Sequence, residues 1–72
     1  MKVIITDISE GDAYYSVRSK IIGKSGTMTN IDQWDNGWTG CDFTFSRLTK
    51  EIKDFCTDGK VSFFEIKYKT KK

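Results

Sequence analysis

Apolar and polar residues alternate from Lys2 to Ile8 with β-branched side chains in excess, which predicts a first strand. Ser9, Glu10, Gly11 and Asp12 then form a polar turn of solvated side chains. Alternation resumes from Ala13 to Ile22 and predicts a second strand, with Tyr15, Val17, Ser19 and Ile21 on its core face. Gly23 to Gly26 marks the next turn, and Thr27 to Ile31 returns as a third strand. Asp32 to Gly40, D-Q-W-D-N-G-W-T-G, breaks the alternation with two glycines and an Asn-Gly pair and predicts a loop. Cys41, Phe43 and Phe45 alternate with Asp42, Thr44 and Ser46 as a short extended lead-in.

Between Ser46 and Gly59 the period changes. Leu48, Ile52, Phe55 and Cys56 recur at i, i+4, i+7 and i+8, the spacing of one helical stripe, with Ser46 as N-cap and Gly59 as the stop. A helix this short needs its stripe covered, and a sheet is the available cover. Lys60 to Lys69 predicts the last strand, with Phe64, Ile66 and Tyr68 on one face and Glu65, Lys67 and Lys69 on the other. Val61 and Phe63 fall on the charged face, a conflict that a bulge or an edge position would resolve. Thr70 to Lys72 is expected to fray. The fold expected is α+β: a mostly antiparallel sheet of three to four strands in the order β-β-β-α-β, with one helix packed on one face, as a single domain over residues 1–72.

Composition limits the chemistry. There is no histidine, so the usual proton carrier near neutral pH is missing, and no context marks a base for a serine or cysteine nucleophile. No catalytic role and no cofactor are expected. Cys41 and Cys56, without histidine or a CxxC step, are expected as free thiols rather than a metal or redox pair. Gly23-Lys24-Ser25 lacks the upstream glycine of a phosphate loop, since position 18 is arginine, and leads into a strand pattern rather than a helix. Only three consecutive apolar residues follow Lys2, too few for a signal peptide, and no run suits a bilayer; a cytoplasmic location without a membrane partner is expected.

Charge narrows the partner. The net charge is only +2, but no lysine or arginine lies between Ser25 and Ser46, while Asp32, Asp35 and Asp42 do. Trp34 and Trp38 in this acidic segment are the first candidates for a docking surface, one expected in the core and the other partly exposed. An acidic loop favours a basic surface on a larger protein. A non-catalytic binding module follows, which by size and composition compares with small phage or mobile-element proteins that inhibit host machinery. The alternative is a nucleic-acid-binding protein using Lys67, Tyr68, Lys69, Lys71 and Lys72, whose basic stripe offers phosphate contacts and a stacking ring. A last strand at the sheet edge also allows a homodimer.

Overall fold

A computed structural model describes residues Met1–Cys56 and Asp58–Lys71. Four antiparallel strands, β1 (Lys2–Ile8), β2 (Ser25–Gln33), β3 (Thr39–Phe45) and β4 (Lys60–Thr70), close into a barrel in which each pairs with the next and β4 returns to β1. β4 achieves the closure by serving two neighbours in turn. Val61 and Phe63 lie opposite Phe43 and Cys41 of β3, whereas Ile66 and Tyr68 lie opposite Ile8 and Ile5 of β1.

The interior is filled by alternate residues of the strands, Val3, Ile5, Ile8, Met28, Phe43, Phe45, Val61, Phe63 and Ile66, with Phe43 in edge or tilted contact with Phe45 and Phe63. Large rings let so small a chain bury a continuous apolar core. Gly26 is buried where β2 pairs with both β1 and β3. A Cβ there would strike the Thr44 carbonyl and the Phe43 ring, so no larger residue fits without the strands moving apart.

Two expectations are overturned. Ala13–Ile22 contains no strand: Tyr15–Val17 is a 3₁₀ turn leading into a short helix α1, Arg18–Ile21. Tyr14, Val17 and Ile21 have helical spacing, and all three pack on the core, with Ile21 fully buried. The alternation seen along this stretch came from polar residues that lie on the helix's outer side.

The helix expected over Ser46–Gly59 shrinks to α2, Lys50–Lys53, and Thr57 lies outside the described residues. Its N-cap is Thr49, whose hydroxyl accepts from the Ile52 amide at 3.3 Å, rather than Ser46. Ile52 is buried, Phe55 and Cys56 are half-buried, and Leu48 points outward over Gly59. The chain is therefore organised around the barrel, and the helical segments are small covers that touch each other beside it. The order β-β-β-α-β gives way to strand, helix, strand, strand, helix, strand. β4 is not a single free edge, since β3 pairs with its first half and β1 with its second. Thr70 is paired and the Lys71 amide donates to the Lys2 carbonyl at 3.0 Å, so the end of the strand is held as far as the description runs.

Candidate functional site

The expected Asp32–Gly40 loop is mostly hairpin: β2 runs to Gln33 and β3 starts at Thr39. The Trp34 amide donates to the Trp38 carbonyl at 2.9 Å, and the Gly37 amide to the Trp34 carbonyl at 3.2 Å. Gly37 takes φ +87°, the left-handed residue that a three-residue hairpin turn requires. Asn36 stiffens it by accepting from the Trp38 amide at 3.0 Å.

Neither tryptophan is a core residue. Trp38 is half-buried, with the Lys67 ammonium 4.9 Å from its ring centre. Trp34 is 42% exposed. Its indole lies across Gly40, where a Cβ would stand 3.2 Å from the ring, and its N–H reaches over β3 to donate to the Phe64 carbonyl at 2.8 Å. Trp34 thus ties the hairpin to the middle of β4.

At that point β4 bulges. Successive pairs with β3 skip from Cys41 with Phe63 to Thr39 with Ile66, so Phe64 and Glu65 stand against one residue of β3. This bulge lets Val61 and Phe63 point inward together with Ile66, resolving the conflict in the sequence pattern. It also overturns the placement of Phe64 and Ile66 on one face, because Phe64 is 68% exposed while Ile66 is fully buried.

Asp12 holds the bulge. Expected as a solvated turn residue, it is only 5% exposed, and one carboxylate oxygen accepts from the amides of Phe64 at 2.6 Å and Glu65 at 3.0 Å while the other accepts from Tyr14 at 2.8 Å. Without the carboxylate these three amides would lose their protein partner, and a donor left unmet away from water costs about 1–3 kcal/mol. Glu65 closes the frame by accepting from the Ser9 hydroxyl at 3.3 Å and the Asn36 amide at 3.2 Å. Three separate segments therefore fix one exposed phenylalanine beside one exposed tryptophan, and Gly11, Asn36 and Glu65 complete a shallow depression between them.

The remaining candidates scatter. Asp32 and Asp35 are exposed on the hairpin, but Asp42 belongs elsewhere: it accepts from Asn30 at 2.7 Å and Ser62 at 2.9 Å and borders a polar cleft with Tyr14 and Lys60. Those two hydrogen bonds, Asn30 first, lower its pKa. Lys67 and Tyr68 meet Trp34 and Trp38 in one groove with Thr6 and Gln33. Lys69 and Lys71 are exposed further along the chain, and Lys72 lies outside the described residues. Sequence reasoning missed Asp12 and Phe64; the signal for the latter was the phase conflict in β4.

Both thiols are free. Burial, then the charges of Asp42 and Asp12, push the Cys41 thiol up to about 11, so it stays protonated at neutral pH and is a poor nucleophile. Cys56 donates to the Ile52 carbonyl at 2.9 Å. Among the described residues no helix is long and apolar enough to cross a membrane. No protein family matches the chain, and no curated protein or solved structure is similar to it.

Proposed function

We propose that the chain is a non-catalytic protein-binding module that docks through the Trp34–Phe64 ridge. The observation that carries this reading is the exposure of Phe64 on a bulge whose amides are all but spent on a buried carboxylate. A solvent-facing phenylalanine loses hydration free energy that burial would recover, and a partner supplies that burial. Rigid aromatic anchors bind with little ordering cost, the usual character of binding hot spots.

The rim selects the partner. Glu10, Asp35 and Glu65 lie in the segments around the ridge, and neither lysine nor arginine lines its depression. The matching surface is an apolar hollow edged by lysine or arginine, on a protein larger than this one. Acting by occupying such a site, as an inhibitor or modulator does, needs no chemistry from the module itself.

The deciding experiment is affinity capture from the source cell with the wild-type chain and with Phe64→Ser, a substitution that relieves exposed apolar surface and leaves the frame intact. Loss of one specific partner with Phe64→Ser supports the reading. Equal capture by both chains refutes it. Retention of nucleic acid by the wild-type chain, lost instead with Lys67→Ala, would shift the function to the groove shared by Lys67, Tyr68 and the tryptophans.

A further inference from the structure

A second surface, independent of the aromatic ridge, carries only cations as its charged side chains. Gly23, Lys24 and Ser25 at the start of β2, Phe45 at the end of β3, and Arg47 and Thr49 beyond it line one cleft of about 180 Å³. The Ser46 amide donates to the Ser25 carbonyl at 3.0 Å and fixes the Arg47 segment against β2. Lys71 brings a third cation, its ammonium donating to the Ser25 hydroxyl at 3.4 Å.

Ser25 accepts from Lys71 and Thr49 accepts from the Ile52 amide, so each hydroxyl retains its own O–H to give. With two ammonium groups and a guanidinium, the cleft is rich in donors.

No aspartate or glutamate is among the residues that line this cleft. All ten Asp and Glu residues fall within residues 7–12, 32–42 and 51–58 or at position 65. The lining residues and Lys71 include none, and the nearest along the chain is Glu51, two residues beyond Thr49. Three like charges gathered with no carboxylate among the described lining residues repel one another, and a bound anion offsets that repulsion.

We infer that Lys24, Arg47 and Lys71, with the hydroxyls of Ser25 and Thr49, form a binding site for a phosphate group. A cleft of this size is below the range of about 300–1,000 Å³ typical for whole small molecules, so it takes the phosphate and leaves the rest of the ligand outside. Arginine gives the paired contacts that suit phosphate, and the lysines add charge. This is not a phosphate loop: β2, not a helix, follows Ser25, and the cations come from three distant segments.

Inorganic phosphate and a single-stranded oligonucleotide, titrated separately into the full chain and followed by amide resonances, test the site and its source. Saturable shifts at Lys24, Ser25, Arg47 and Thr49, weakened about tenfold or more in the double variant Lys24→Gln/Arg47→Gln, are expected. If nucleic acid is the source, the oligonucleotide binds more tightly than phosphate and the double variant lowers its salt slope by about 2. If a free phosphate or phosphomonoester is the source, the oligonucleotide gains nothing over phosphate at that site. Phosphate that moves none of these resonances overturns the proposal, as does wild-type affinity in a double variant whose spectrum shows it folded, or shifts confined to Lys67 and Lys69.

Discussion

The ridge at Phe64 and the cleft at Lys24 stand on the same barrel and are made by opposite means. At the ridge, internal hydrogen bonds are concentrated: Asp12, Glu65, Asn36 and the Trp34 indole all bond to hold an apolar ring in water. At the cleft, cations sit together with hydroxyls and have no carboxylate partner among the described lining residues. The difference teaches that a binding surface can be preorganised by over-satisfying the backbone beneath it or by leaving side-chain charge unsatisfied above it. The first arrangement depends on fold stability, the second on ionic conditions.

That contrast can be broken at Asp12, where the largest effect on the fold is expected. Asp12→Ala strands the amides of Phe64, Glu65 and Tyr14 and should cost about 3 kcal/mol, measured by urea unfolding, a large share of the stability of so small a domain. A loss under about 1 kcal/mol would mean that water replaces the carboxylate and the bulge is not held from within. Phe64→Ser separates docking from folding: partner affinity should fall by about 2 kcal/mol, roughly thirtyfold, while the unfolding midpoint hardly moves.

Gly40→Ala probes the contact between ridge and sheet. The added Cβ would stand 3.1 Å from the Phe64 carbonyl and 3.2 Å from the indole, so a cost of about 1–2 kcal/mol and a shift in tryptophan emission are expected. Unchanged emission would show that Trp34 does not rest there.

The last effect shows only at alkaline pH. Cys41 has its pKa raised from 9.0 to about 11, so folding favours the neutral thiol; its stabilisation is complete below 9 and is lost as pH rises from 9 through about 11. Subtracting the unfolding curve of Cys41→Ala should isolate that loss. Asp12→Asn should lower the Cys41 pKa, since the Asp12 charge is one cause of the rise, after burial and Asp42. A difference curve that is flat between pH 9 and 11 would place the thiol in contact with water.

Local pattern alone announced much of this protein. The alternation at Lys2–Ile8, the inward phase of Cys41, Phe43 and Phe45, and the final strand from Lys60 are properties of consecutive residues, so they could be read directly. Asp-Asn-Gly marked a turn for the same reason, and its glycine supplies the left-handed residue, but that β2 and β3 run up to it as a hairpin was not legible there. The stretch from Ala13 to Ile22 was misread because it fits two periods at once, and only packing of Tyr14, Val17 and Ile21 on the core chose the helical one.

What remained was decided between residues far apart in the chain. Closure of the barrel requires β4 to pair with β3 and then β1, and the bulge that permits it is held by a carboxylate 52 residues away. Whether Phe64 faces water and Asp12 is buried depends on that one long-range bond pattern, to which no run of neighbouring residues refers. Composition and order fixed the charge and the periodicities; the free energy of satisfying distant backbone groups in a closed sheet fixed which side chains the molecule presents.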